Sequence, residues 1–255
     1  VAEYEALRAD GFAAEWLDEV TAPGGLRFPG AILHPRDGAL QPARWVRRLA
    51  ARAAEAGVEV REHGRVATLA ELEADQVVIA TDGYTRGLVP ELDAAVRPTR
   101  GQVLATEPLG ELHFARPHYA RQGYDYWQQT PDGRLVLGGR RDLSLETEWT
   151  SEEATTAPIQ EQLELLVEQL LARRPRITHR WSGIFGSSPD GLPLVGELPG
   201  RQGVWVAAGY SGHGNVLGLA CGELVADAIL GRPRDPLLEL FDPARALRLE
   251  AGNVA

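Results

Sequence analysis

The sequence predicts an α/β chain of the α+β kind, in which a β/α layer carries an inserted, largely antiparallel sheet. Three observations predict it. "ADQVVIATDGY", residues 74–84, is a short β-branched run that ends in a glycine turn, the pattern of a buried parallel strand. "GVWVAAGYSGHGNVLGLACGELVADAIL", residues 203–230, delivers a second apolar strand through glycines into a helix. Between them the composition changes after Arg97, where strand-like runs are separated by turns such as Pro131-Asp132-Gly133 and Pro189-Asp190-Gly191.

In chain order, Leu7, Phe12, Ala13, Trp16 and Leu17 recur at roughly helical spacing, which predicts two short helices broken near Gly11. After the Pro/Gly-rich turn at 23–30, a helix is predicted from Pro42 to Gly57, followed by a strand that reaches Val66. Strands are predicted in "RPTRGQVLATEP", "YDYWQQTPDGRLVLGGRRD" and "THRWSGIFGSSPDGLPLVGEL". One long helix, about Glu152 to Arg173, interrupts them, beginning near Ser151 with Glu152 and Glu153 in its first turn. The helix after Gly209 is predicted to stop near Gly231-Arg232-Pro233, and the tail from Asp235 to Ala255 has no β-branched strand.

A chain of 255 residues, 44% hydrophobic, can bury one large core or two interleaved ones. Its net charge of -10, without a basic patch, argues against nucleic acid or an anionic membrane as partner. Arg44, Arg47, Arg48 and Arg52 have the spacing of a solvated helix face. Cys221 is the single cysteine and sits in an apolar helical pattern, so packing is its expected role and a reducing, cytoplasmic compartment is the default. No transmembrane run, signal-peptide core or metal-ligand spacing is evident, and the sequence has no methionine, so the chain is expected not to begin at its natural start.

Gly212-x-Gly214-x-x-x-Gly218 lies close to a dinucleotide fingerprint. A pyrophosphate-binding βαβ unit needs a second strand after its helix, and the tail offers none. What remains is a strand that brings glycines to a helix N-terminus, aiming N–H groups and the positive end of the helix dipole at a close neighbour. A flavin ring, whose N1/C2 edge gains negative charge on reduction, suits that geometry; tight helix–sheet packing is the alternative use of the same glycines.

"ADQVVIATDGYTRGLVP", "RPTRGQVLATEPL", "YDYWQQTPDGRLVLGG", "RWSGIFGSSPDGLPLVGELP" and "GVWVAAGYSGHGNVLGLACGELVA" together resemble the FAD-dependent D-amino-acid oxidase, glycine oxidase and sarcosine oxidase superfamily, nearest in flavour to bacterial amine-oxidising members of the γ-glutamylputrescine oxidoreductase type. The fold is then an incomplete FAD-binding β/α layer with an inserted substrate-domain sheet. Residues 1–96 would be the remainder of the FAD-binding domain with the start of the substrate domain, 97–178 the substrate domain, and 179–255 the C-terminal part of the FAD-binding domain. The resemblance implies that Ala80, Thr81 and Gly83 lie against FAD and that a strand residue at Val66 touches the adenine through its backbone. It implies that Gly209, Gly212, His213, Gly214, Asn215 and Val216 face the isoalloxazine. Gly183 stands where the sarcosine oxidase branch often bonds flavin through cysteine, so FAD is expected to be non-covalent. The glycine turn that such oxidases carry near their N-terminus is missing, so the chain is expected to be the C-terminal part of an oxidase, with a second chain as one source of the missing segment.

On the substrate side, the family's usual carboxylate-clamping arginine is replaced by Phe185, which argues against a simple α-amino acid and for an amine. Alternation along "YDYWQQ" puts Tyr124, Tyr126 and Gln128 on one face as a candidate aromatic pocket, with plain sheet packing as the alternative. Arg140 and Arg141 follow the strand end, and one of them could face FAD or a distal carboxylate. His213 is expected to tune or support the flavin site, and Asp190 to form a turn. The leading function is oxidation of a primary or secondary amine at its C–N bond. A cofactor-free remnant or binding module of the same fold is the alternative, and a nicotinamide-dependent reductase rests on Gly212 to Gly218 alone.

Overall fold

The computed structural model describes residues 1–246. The chain forms two compact units interleaved in sequence. The first comprises Val1–Gln41, Gln102–Leu145 and Ala154–Ser182; the second comprises Pro42–Gly101, Glu146–Glu153 and the residues from Gly183 on.

Helix α1 (Ala2–Ala9) stops before Gly11, whose φ of +84° turns the chain out of the helix. The second helix expected there is a strand, β1 (Glu15–Leu17). Two short strands, β2 (Val20–Thr21) and β3 (Arg27–Phe28), pair with each other, and β4 (Ala31–Leu33) pairs antiparallel with β1. Pairing overrides the helical spacing because Trp16 finds a seat: its ring lies where a Cβ on Gly30 would stand, and it packs against Tyr4 at 5.9 Å. Helix α2 (Pro42–Glu55) starts and stops where expected, and none of its residues is buried. The strand expected after it is absent, since residues 58–68 are irregular and Val58 and Val60 are exposed. An extended segment needs a neighbour for its N–H and C=O groups, and no described strand pairs with this one. Val66 is therefore half-buried in a loop, not in a strand.

The expected parallel strand is β5 (Val77–Ile79). β6 (Arg97–Pro108), β7 (His118–Ala120), β8 (Asp125–Gln129) and β9 (Arg134–Gly139) follow, and the pairs β6–β9, β7–β8 and β8–β9 are antiparallel as expected. After a single turn, α3 (Leu145–Glu148), the long helix α4 runs Ala157–Leu171 and thus starts later than expected. Glu148 is drawn into a buried ion pair with Arg100 at 2.9 Å, and Arg100 Nη1 also donates to the Glu152 carbonyl at 3.4 Å, so these residues are held outside the helix. The helix begins at Thr156, whose N–H donates to Gln102 Oε1 at 2.9 Å, with Pro158 in the first turn. β10 (Ile177–Ser187) completes a five-stranded sheet of order β10-β6-β9-β8-β7.

β11 (Leu194–Glu197) pairs antiparallel with β12 (Val204–Ala208), and β12 pairs parallel with β5, which makes β5 an outer strand of that sheet. Helix α5 (Gly214–Ile229) ends as expected, and the tail adds only the turn α6 (Leu237–Leu240). The described tail has no strand; its part beyond Ala246 lies outside the described residues. In the first unit, Leu163, Leu166, Val167 and Leu170 of α4 pack with Leu104, Leu135, Leu137 and Trp127 of the sheet. Each such leucine contributes about 1.5–3 kcal/mol by leaving water. In the second unit Ile79, Val206 and Ala208 pack with Leu92, Val96 and Leu194, and Cys221 and Val225 of α5 pack with Val195 and Ala207. No described helix is long and apolar enough to cross a membrane.

Candidate active site

In the second unit, three sequence blocks meet at one carboxylate. Asp82 follows β5 with φ +43°, a left-handed conformation that Asp tolerates better than most residues. Its Oδ2 accepts the Gly186 N–H at 2.7 Å, and its Oδ1 accepts the Gly209 N–H at 2.8 Å and the Tyr210 N–H at 3.4 Å. The turn after β5, the end of β10 and the turn after β12 are thereby tied together. Glycine is needed for the approach: a Cβ on Gly83 would lie 2.7 Å from the Phe185 carbonyl carbon, and one on Gly186 would lie 2.7 Å from Asp82 Oδ1. Phe185 in turn places its ring edge 4.0 Å from where a Cβ on Gly212 would stand.

The junction orders the glycine turn. Ser211 N–H donates to the Gly186 carbonyl at 2.8 Å, Ser211 and Gly212 take φ +52° and +96°, and His213 becomes the N-cap of α5 without a side-chain cap bond. Gly209 is buried, while Gly212, His213, Asn215 and Val216 are exposed and Gly214 is half-buried. Val216 is 77% exposed, although valine ordinarily avoids water. Ala80 and Thr81 are exposed, and Thr81 Oγ1 pairs with Thr85 Oγ1 at 2.8 Å. Gly183 is exposed, and a Cβ there would meet no atom within 4 Å. Burial pushes the Tyr210 phenol well up, aided by the nearby Cys221 and Asp82, and burial likewise raises the Cys221 thiol, which makes the thiol a packing group. Asp190 is the expected turn former: Oδ1 accepts the Leu192 N–H at 3.1 Å, and Arg245 Nε donates to Oδ2 at 2.6 Å.

In the first unit Tyr124, Tyr126, Gln128 and Arg140 are strung along the β8–β9 hairpin, with Gln128 toward its turn and Tyr124 and Arg140 at its open end, while Phe185 belongs to the second unit. The side chains of Tyr126 and Gln128 alternate with buried Asp125 and Trp127, as expected. Tyr124 lies outside the strand with helical φ/ψ, because Gly139 passes so closely that a Cβ there would stand 2.2 Å from the Tyr124 carbonyl oxygen. Arg140, at φ +61°, ion-pairs through Nε with Asp125 Oδ1 at 2.9 Å, and Arg121 donates to the same oxygen at 3.1 Å and also to Asp142. Burial raises the Asp125 carboxyl against the pull of Arg140 and Arg121. Asp82 and Asp125 are the organising residues that the motif pattern did not single out. Asp82 fell on a variable place between Thr81 and Gly83, and its partners lie more than a hundred residues away in sequence. Among the described residues no group of His, Cys, Asp and Glu is arranged to hold a metal ion.

A parallel strand pair, a glycine turn opening a helix, and an antiparallel sheet are features of FAD-dependent oxidase folds. The chain belongs to the DAO family of FAD-dependent oxidoreductases, whose model matches residues 1–228. It is 29% identical over 185 residues to glycine oxidase of Pseudomonas aeruginosa, covering 70% of this chain and 48% of that protein. It is 28% identical over 247 residues to the probable oxidoreductase OrdL of Rhizobium meliloti, covering 89% and 56%. The chain thus spans about half the length of these curated relatives. L-proline dehydrogenase of P. horikoshii shares its fold at a TM-score of 0.75 and 20% identity, covering 97% of this chain and 72% of that one. The cofactor of the family is FAD. With Cys221 buried in α5 and glycine at 183, FAD is held non-covalently.

Proposed function

We propose that the protein oxidises the C–N bond of a primary or secondary amine to an imine, which water then hydrolyses. The observation that carries this reading is the Asp82 junction, which presents the Gly209–Gly214 turn, the N-terminus of α5 and the Phe185 ring as one surface. That surface fits the ring end of FAD: Gly183 and Gly218 would send a Cβ into open space, His213 leaves the first N–H groups of α5 without a side-chain cap, and Val216 offers an uncovered apolar contact. Gly209, Gly212, His213, Gly214, Asn215 and Val216 would face the isoalloxazine, Ala80, Thr81 and Gly83 would flank it, and Val66 would sit toward the adenine. Bound FAD supplies the two-electron acceptor. The chain's own work is to hold the amine in line and to exclude water from the reacting carbon.

The hydrocarbon ring of Phe185 provides no donor for a carboxylate, so the substrate is an amine without an essential α-carboxylate. Tyr124, Tyr126 and Gln128 would line its pocket. His213 is a supporting residue and not an acid or base, because hydride transfer from a neutral amine asks for positioning. We place the enzyme in the cytoplasm, where a lone buried thiol stays reduced. The test is to purify the complete protein, record its flavin absorbance, and measure steady-state rates on glycine, D-alanine, sarcosine and an acylated polyamine. The expected order puts the acylated polyamine first and D-alanine last; D-alanine turning over fastest, or a colourless protein that binds NADPH, overturns the reading.

A further inference from the structure

We propose that Glu153 is a positioning residue for the cofactor: carried on a strap that Arg100 pins in place, it holds the Tyr84 phenol and steadies the turn at 81–85, so that FAD stays bound longer. The inference rests on the placement of that turn against FAD and not on the choice of amine. Strap, arginine and turn all belong to the second unit. Asp82 anchors the turn through the N–H groups of Gly186 and Gly209, and the buried Thr85 closes it by donating to the Asp82 carbonyl at 2.7 Å. Tyr84 lies between these two anchors in sequence and is itself exposed. Its hydroxyl donates to Glu153 Oε1, 69 residues further along the chain, so this third anchor is delivered from elsewhere in the sequence.

The segment that delivers it, Glu146–Glu153, has Glu148 as its only buried residue and joins no apolar core of the described residues. Arg100 holds it instead: Nε donates to Glu148 Oε2 at 3.0 Å, Nη2 to Glu148 Oε1 at 2.9 Å and to the Thr147 carbonyl at 3.2 Å, and Nη1 to the Glu152 carbonyl at 3.4 Å. The Arg97 guanidinium lies 4.2 Å over the Trp149 ring. A buried ion pair adds little net stability against its desolvation cost, whereas its paired, planar bonds fix direction. The strap therefore has a defined course without a core of its own, and that course sets where Glu153 meets Tyr84. Desolvation of the hydroxyl, and then the Glu153 bond, push the Tyr84 phenol up to about 12, so it remains a donor at neutral pH. A turn already held at three points has less freedom to lose when a ligand settles against it, which lengthens the stay of that ligand.

The experiment follows the release of FAD from the loaded complete protein after dilution, read as flavin fluorescence, and the amide hydrogen exchange of residues 81–85. Glu153→Ala and Tyr84→Phe are each expected to speed release about fivefold and to raise exchange at 81–85 while β5 keeps its protection, with Tm within about 2 °C of wild type. Glu153→Gln keeps an acceptor oxygen and should stay within about twofold of wild type. The double variant should release FAD no faster than either single variant, because both remove the same bond. Unchanged release in the single variants, multiplied effects in the double variant, or faster release accompanied by a larger fall in Tm overturns the inference. Asp82→Ala separates it from the reading on which it rests. Flavin lost from Asp82→Ala but retained normally by Glu153→Ala overturns the strap alone, and normal retention in both removes the placement of the turn against FAD as well.

Discussion

Asp82 in the second unit and Asp125 in the first each organise a turn, and they do so with opposite kinds of partner. Asp82 accepts backbone N–H groups of Gly186, Gly209 and Tyr210. Asp125 is held by the side chains of Arg140 and Arg121. A backbone donor cannot swing away to find water, so a carboxylate bonded to it fixes main-chain geometry. An arginine has a long stem and can rehydrate, so its carboxylate sets charge and side-chain direction more than fold. The Asp82 turn is therefore built rigidly on main-chain bonds, and the Asp125 turn as an adjustable charge network.

The sharpest way to break this contrast is Asp82→Ala. It leaves the Gly186 and Gly209 N–H groups without their acceptor, at about 1–3 kcal/mol each, so a fall in Tm of roughly 6 °C or more is expected together with loss of bound flavin on gel filtration. A shift of less than about 2 °C would mean that the junction does not hold the turn. Asp125→Ala should cost less, about 1–2 kcal/mol, because burial already works against the Asp125 charge and Arg121, 42% exposed, keeps Asp142 as a partner, leaving Arg140 as the group that loses its ion pair. Denaturant unfolding compares the two directly, and an Asp125 variant less stable than the Asp82 variant would reverse the argument. The smallest effect concerns Asp190, whose carboxyl is held below its ordinary value chiefly by the Arg245 hydrogen bond. A depressed carboxyl adds stability above its unfolded pKa of about 3.9, and that stability is lost as pH falls through the lower folded value. Wild-type Tm should drop more steeply than that of Asp190→Asn over this acid window, and parallel curves would remove the assignment.

Where period and turn chemistry were local, the sequence was legible. The branched run at Val77–Ile79, the alternation at Asp125–Gln129 and the glycine stop of α2 each carry their signal within a few residues, and each element stands where it was read. The errors arose where distant partners decided. Phe12 to Leu17 reads as helix until Gly30 gives Trp16 its seat, and Glu152 and Glu153 read as a first helical turn until Arg100 claims Glu148 and the Glu152 carbonyl. Segment 58–66 has the residues of a strand but no described neighbour. The glycine turn after β12 was read from its spacing, whereas the carboxylate that anchors it was hidden in a variable place of another motif.

Helix α2 presents no buried residue over its 14 positions, with Trp45 and Val46 both facing outward. Within residues 1–255 it enters no core, whereas the leucines of α4 are locked into one, so in this piece α2 is expected to open more often than α4. Its four arginines, Arg44, Arg47, Arg48 and Arg52, turn that difference into a clock for digestion: in residues 1–255 taken alone, trypsin is expected to cut first between Pro42 and Glu55, while the β6–β9 sheet is still whole.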